Sequence, residues 1–416
     1  MTVRNDMLAR LGARKPGFSL DREFYRDEGF YQLDLEQIWY RDWLFVGHDC
    51  EMPTPGSFLT VTVGEYPVVL VRDRAGDLRA FHNVCRHRGS RVCLAEKGRT
   101  ARLVCPYHQW TYDLDGQLLF ARQMGEDFDP KPYGLRPVAC ESVAGYIFIS
   151  LADAPEDFAP MRARLTPYLA PHRLTEAKVA FESTIIEQGN WKLVWENNRE
   201  CYHCAANHPE LCKTYPETPS ITGVLGIEED AEIQALWADC ADRGLTSAFD
   251  ITPDGQSRVV RVPLIGDSES YTMSGRRAVT TPLSDEVQGG GIGALMLFHY
   301  PSSWNHVLID HAVTFRVLPL TPLTTAVTTK WLVHKDAVEG VDYDLETLTH
   351  VWIETNNQDR RIVEDNASGV ASPAYMPGPY SPVHEDGVRQ FVDWYAGTIE
   401  DRLRGQDRRP NLRSVG

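Results

Sequence analysis

The sequence predicts an α+β protein: an all-β module, then an antiparallel sheet packed against long helices. Three observations carry this. The 416 residues suffice for two or three hydrophobic cores. From about Gly47 to Leu151 the chain is a succession of short β-like runs separated by turn signals. Longer strand-like runs follow, and two extended helical patterns close the chain; strands followed by helices suit an α+β domain.

Taken in order, residues 1–46 are expected to form a helical segment packing on the C-terminal domain. Phe24, Tyr25, Tyr31, Leu35, Ile38, Trp39 and Trp43 are spaced for one helix over 21–44. In residues 47–151, FLTVTV (58–63) alternates, VVLV (68–71) is continuous, and Arg74-Ala75-Gly76-Asp77 supplies a turn. Asp115-Gly116 inside WTYDLDGQLLF is a hairpin signal, and GYIFISL (145–151) ends the module. Ala152 to Pro160 reads as a surface connection into the last domain, residues 152–416. There KVAFESTIIEQG predicts a strand within 175–191. Trp191, Val194, Trp195, Asn198 and Tyr202 predict a helix over 191–204, with Asn190 as N-cap. Strand-like runs lie at 257–263, 293–300, 306–319 and 324–335. A helix from about Asp342 to Asp365, a Pro/Gly-rich loop (SPAYMPGPYSP) and a helix near 384–403 complete the chain.

The net charge of −16 argues against nucleic acid or an anionic membrane as partner. No apolar stretch approaches a membrane span, and the N-terminus lacks the apolar core of a signal peptide. Nine cysteines, an odd number in a large chain, do not resemble a secreted disulfide framework, so a cytoplasmic setting is expected.

Chemistry enters with Cys85-Arg86-His87 and, across seventeen intervening residues, Cys105-Pro106-Tyr107-His108. In a Rieske-type [2Fe-2S] centre two thiolates hold one iron and two imidazoles the other, which raises the potential. Loops at the tips of β-hairpins supply such ligands. Zinc also accepts two cysteines and two histidines, but its fingers usually open with both cysteines and close with both histidines; here each half carries one of each. Cys50, Cys93, Cys140, Cys212 and Cys240 are read as having no redox role.

A second site lies in NNRECYHCAANHPE (197–210). His203 and His208 are five apart, which on a regular helix turns them about 140° from each other. They can converge only if the helix ends between them, and Ala205-Ala206-Asn207 before Pro209 is a place for that. Cys201 and Cys204 form a CxxC, but no second CxxC completes a zinc site. A redox cluster needs a destination for its electron. Two histidines and one carboxylate make the facial triad that holds Fe(II) with open positions. Asp359, in TNNQDRRIVEDN, is the best carboxylate; Glu354, Glu364 and Asp365 compete.

These strings, CRHRG…CPYHQW, NNRECYHCAANH and NQD, resemble those of the alpha subunits of Rieske non-haem iron oxygenases, over nearly the whole chain. The resemblance implies that Cys85, His87, Cys105 and His108 hold the cluster. It likewise implies that His203, His208 and Asp359 hold the iron. It implies a Rieske domain joined to a helix-grip-like catalytic domain, usually in a homotrimer where one subunit's cluster faces its neighbour's iron. Ring-hydroxylating members carry an aspartate three residues before the first iron histidine, bridging to that cluster; Glu200 stands here. Glu200 and the ENNRECYHC string resemble the quaternary-ammonium branch, closest to the glycine betaine and proline betaine demethylases, with carnitine oxygenases in the same branch.

The implied activity is a monooxygenase that uses O2 to hydroxylate an N-methyl group of a betaine, glycine betaine first, releasing formaldehyde and dimethylglycine. No dinucleotide or flavin motif is visible, so NAD(P)H electrons are expected through a separate flavin/iron–sulfur reductase. A trimethylammonium group offers no N–H and is held by aromatic faces. Tyr202, Phe298, Tyr300, Trp304 and Trp331 are candidate rings; His299, Asn197 or an arginine could meet the carboxylate. An aromatic ring-hydroxylating dioxygenase and a non-catalytic Rieske electron carrier are the rival readings. Glu200 counts against the first. Residues 152–416, which a carrier does not need, count against the second.

Overall fold

The computed structural model describes residues 2–218, 223, 226–287 and 289–405. Its N-terminal segment is helical but broken. Helices Val3–Ala13, Arg22–Arg26 and Glu28–Asp34 are followed by a π-helical turn, Leu35–Trp39. The expected single helix over 21–44 stops at Asp27, whose backbone is extended (ψ 129°). Its side chain accepts the Phe30 N–H at 3.0 Å, so it ends one helix and caps the next. The apolar residues that suggested the helix are buried all the same. Asp34 anchors the segment: it pairs with buried Lys192 and accepts hydrogen bonds from Tyr395 Oη (2.7 Å) and Trp191 Nε1 (3.2 Å).

Next comes a seven-stranded sheet, in the order Leu44–His48, Tyr146–Ser150, Pro137–Val143, Leu78–His82, Tyr66–Arg72, Ser57–Val63, Lys97–Arg99. Its edge strand begins at Leu44, ahead of the expected module start at Gly47. A three-stranded sheet (Leu103–Val104, Thr111–Tyr112, Leu118–Phe120) carries the expected hairpin. Gly116 sits there at φ +87°, and a Cβ would strike the Phe81 ring.

The second seven-stranded sheet runs Ala177–Glu187, Thr324–His334, Ala312–Thr321, Ser303–Val307, Ala294–His299, Ser257–Val262, Asp250–Ile251. The run at 306–319 is thus two strands, not one. Leu308 N–H bonds His311 C=O at 2.9 Å to close the turn between them. Buried Asp310 accepts the Ala278 and Val279 N–H groups there (2.7 and 3.2 Å). Because residues on a strand alternate faces, Arg258, Met296, Phe298, Trp304, His306 and Phe315 share one side. That side packs under helices Trp191–Asn198, Leu345–Ala371 and Asp386–Arg404. Helices Ala159–Leu169 and Ala231–Asp242 were not foreseen. His48 Nε2 to Thr314 Oγ1 (3.0 Å) and Arg316 Nη1 to Val46 C=O (2.9 Å) join the two sheets. Among the described residues no helix is long and apolar enough to cross a membrane.

Candidate metal centres and the cavity beside them

The two cysteine–histidine loops are the same turn built twice. Cys85 N–H bonds Ser90 C=O (2.8 Å) and Gly89 N–H bonds Cys85 C=O (3.0 Å). Cys105 N–H bonds Trp110 C=O and Gln109 N–H bonds Cys105 C=O, both at 2.9 Å. Gly89 and Gln109 turn the chain at positive φ (80° and 62°). Both cysteines are buried (3% and 1% exposed), and Cys85 Sγ lies 3.3 Å from Tyr112 Oη. The histidines stand nearer solvent, their ring centroids 4.7 Å apart. His87 stacks on Trp110 at 4.9 Å, and its buried Nδ1 has no partner among the described residues. His108 engages Arg88 through Nε2 at 3.2 Å. Two buried thiols and two neighbouring imidazoles are the donor types of a Rieske cluster, and these residues fit it.

The second centre depends on a break in the chain. The helix expected over 191–204 ends at Asn198, with Asn190 capping its start by accepting Lys192 N–H at 3.0 Å. A short helix, Cys204–Asn207, follows, with His203 just before it and His208 just after (φ −120°, ψ 66°). The helix therefore ends before both histidines, earlier than expected. Glu200 shapes the intervening turn: its carboxylate accepts the N–H groups of Tyr202 and His203 and meets His203 Nδ1 at 2.5 Å.

His203 Nε2 and His208 Nε2 lie 2.9 Å apart, and Asp359 Oδ1 is 3.3 and 3.0 Å from them. Asp359 Oδ1 is nonetheless a buried atom with no directed hydrogen bond, so the three atoms converge lone pair to lone pair. With metal–ligand bonds of about 2.1 Å, neighbouring ligands of an octahedron lie about 3.0 Å apart. The triangle has the size of one octahedral face. Both rings are turned for this. Gln358 Oε1, an acceptor only, meets His208 Nδ1 at 2.8 Å, and Gln358 Nε2 donates to Glu210 at 2.8 Å. Glu200 does the same for His203. Each Nδ1 carries the hydrogen, so a metal would be met at Nε2 of each ring. Burial disfavours protonation of His203, but Asp359 and Glu200 outweigh it and raise the ring to about 10, so a metal bound there takes the place of a proton at Nε2. Burial would raise Asp359 too, yet the two imidazoles hold it down to about 2.

Trp352, Thr355 and Asp359 lie one and two turns apart on one stripe of Leu345–Ala371 and line the same cavity. Glu354, Glu364 and Asp365 fall off that stripe; Glu364 instead accepts Gln188 N–H at 3.1 Å. Cys204 Sγ lies within 4.8 Å of the histidine donor atoms, but its sulfur is bonded to that of Cys201, a pairing the sequence reading did not foresee. Cys50, Cys93, Cys140, Cys212 and Cys240 are unpaired.

The cavity beside the triad, of ≈ 50 Å³, is walled by Tyr215, Met296, Phe298, His306, Trp352 and Thr355, with Asn197 and Glu200 at its edge. Of the five candidate rings only Phe298 lines it. Tyr202 is 63% exposed and stacks on His384 at 4.8 Å. Tyr300 lies beyond the strand end, against Trp195 and Trp394. Trp304 stacks on Phe315, and Trp331 packs beside Phe181. His299 alternates to the opposite face from Phe298 and is held by Ser257 Oγ and Trp43 C=O, both at 2.6 Å. Of the residues the sequence reading missed, Trp352 was recoverable from its seven-residue spacing to Asp359. Met296 was recoverable from strand parity with Phe298; His306, on the next strand, needed the register between strands. Tyr215, in a loop, carried no signal. Burial pushes His306 down to about 3, so its ring is neutral. A larger hollow of ≈ 500 Å³ lies along Ala159–Leu169, away from both centres.

Two family models match: the Rieske [2Fe-2S] domain over residues 42–138 and the ring hydroxylating alpha subunit (catalytic domain) over residues 174–401. The chain is 47% identical over 394 residues to the glycine betaine monooxygenase oxygenase subunit of Pseudomonas aeruginosa strain PAO1, covering 94% of this chain and 92% of that one. It is 48% identical over 408 residues to the subunit of the same name from Chromohalobacter salexigens, covering 96% and 89%. Its fold matches a solved quaternary ammonium Rieske monooxygenase with a TM-score of 0.72 at 20% identity, over 96% of this chain and 99% of that one.

Proposed function

The chain belongs to the Rieske oxygenases of the ring-hydroxylating alpha-subunit family, and from that premise we propose that it is the oxygenase component of a glycine betaine monooxygenase. The observation that carries this reading is a triangle of metal donors opening onto a cavity walled by Tyr215, Phe298, Trp352 and a neutral histidine. Near-full-length likeness to glycine betaine monooxygenase oxygenase subunits supports the choice of substrate.

His203, His208 and Asp359 would hold an iron, which when bound supplies O2 activation, and Cys85, His87, Cys105 and His108 would hold a cluster that supplies electrons one at a time. The protein's own part is placement. Aromatic faces hold a trimethylammonium group at roughly 0.5–2 kcal/mol per ring. Neutral His306 adds no charge against it, and Met296 is a soft apolar contact. One N-methyl carbon is then presented to the triad. Its hydroxylation gives an N-hydroxymethyl compound that falls apart to formaldehyde and dimethylglycine. Glu200, whose carboxylate holds His203 Nδ1, would be the hydrogen-bonded link between the iron site and a partner subunit's cluster in a homotrimer. A separate NAD(P)H-dependent reductase, in the cytoplasm, supplies the electrons.

The test is formaldehyde release under air, with a surrogate reductase and NADH, across glycine betaine, proline betaine, carnitine and an aromatic acid. Formaldehyde from glycine betaine is expected. A hydroxylated aromatic product with no formaldehyde would replace this reading by ring hydroxylation.

A further inference from the structure

Sequence left three kinds of donor for a substrate carboxylate. Both His299 nitrogens are engaged on the far face of the sheet, and Asn197 lines the cavity with a neutral amide. Arg199 is different. It is fully buried at the end of helix Trp191–Asn198, between the cavity-lining residues Asn198 and Glu200. Its Nε donates to Tyr300 Oη at 2.6 Å, and that hydroxyl donates to Gln390 at 2.7 Å. Its Nη1 and Nη2 have no hydrogen-bond partner among the described residues. The guanidinium lies 4.4 Å from the centroid of Phe298, whose ring lines the cavity. Arg258, directly across the strand pair from Phe298, brings a second guanidinium 5.4 Å from the same ring. Both cations oppose the upward push of burial on the Tyr215 hydroxyl, in the same wall.

A buried guanidinium with idle N–H groups is costly unless an acceptor arrives, and a carboxylate accepts two N–H bonds from one guanidinium. We propose that Arg199 is the carboxylate anchor of the substrate site: its Nη groups, backed by the charge of Arg258, receive the carboxylate of a zwitterionic substrate while its methyl groups face the triad. This rests on the quaternary-ammonium reading and adds what separates a betaine from a simple ammonium ion.

The test is calorimetric titration of the cluster- and iron-loaded enzyme with glycine betaine and with tetramethylammonium, which has the cation and no carboxylate. Arg199→Met is expected to weaken glycine betaine roughly 30-fold or more and to leave tetramethylammonium within about threefold. Equal loss of both ligands, or loss of neither, overturns the anchor. If that variant does not fold, Arg199→Lys replaces it; an unchanged ratio of the two affinities overturns the anchor, and selective loss of glycine betaine supports it. Wild-type enzyme that binds both ligands equally removes the anchor and leaves the demethylase reading standing. Wild-type enzyme that binds glycine betaine through Arg199 and releases no formaldehyde from it removes the reading and leaves the anchor.

Discussion

Three donor atoms about 3 Å apart, with lone pairs aimed at one point, repel each other unless protons or a metal lie between them. Asp359 carries the largest consequence, because it is the only anion of the triangle formed with His203 and His208. Asp359→Ala is expected to abolish iron retention and turnover while the visible absorbance of the cluster stays, which metal analysis and a spectrum would check. Gln358 acts through His208. Its carbonyl fixes the ring and its amide is fixed by Glu210. Gln358→Leu should leave the His208 Nδ1–H without an acceptor and weaken iron binding roughly 10- to 100-fold, read as iron retained against a graded chelator. Unchanged retention would make Gln358 a packing residue only. His203, His208 and Asp359 were legible in the sequence because ligand chemistry restricts residue type. Gln358 was not, since a glutamine beside a metal ligand has no signature until its neighbour is known.

Elements explain where sequence reading slipped. Periodicity found the helix at 191–204 and the lead-in at 21–44, but not their interruptions at Arg199 and Asp27. Apolar spacing reports which face is buried, and it continues across a cap or a turn without changing. The strand run at 306–319 was misread for the same reason: the turn at Leu308–His311 is itself buried and half apolar, and its one turn-forming residue, Asp310, stands alone between two apolar runs. The helix Trp191–Asn198 also carries a titratable strain. Half-buried Glu196 accepts hydrogen bonds from Tyr25 (2.7 Å) and Tyr380 (3.0 Å). Burial outweighs these bonds and raises its carboxyl from 4.5 to about 7. The native state thus holds a proton that the unfolded chain releases. This group's contribution to stability is full below about pH 4.5 and falls as pH rises through 7, by on the order of 3 kcal/mol. Glu196→Gln should flatten that fall. Thermal denaturation at pH 5 and pH 8 should show a smaller drop in the variant than in wild type, and an identical drop would place the ionisation elsewhere.

At the scale of the whole molecule, Glu200 is where the assembly would meet the active site. It holds His203 by its side chain and lies at the cavity edge. Glu200→Gln is expected to leave cluster and iron contents intact. It should slow reoxidation of the reduced cluster by at least about tenfold in single-turnover stopped-flow experiments with substrate and O2. Reoxidation at the wild-type rate would mean the electron takes another path. The sequence by itself determined the joining of a Rieske domain to a catalytic domain and the class of chemistry, and it brought forward the residues proposed as donors at both metal centres. Metals accept few residue types, and hairpin loops and helix stripes place them at short, recognisable spacings. Only the tertiary structure decided what surrounds those donors. The cavity wall is assembled from a loop, two strands and a helix (Tyr215; Met296, Phe298 and His306; Trp352), which lie far apart in the chain. Whether an aromatic residue there meets substrate or core depends on strand parity and on where each element stops, as His299 and Tyr300 beside Phe298 make plain. Those are properties of packing, to which hydrophobic patterning is blind because a substrate pocket and a core are built from the same side chains.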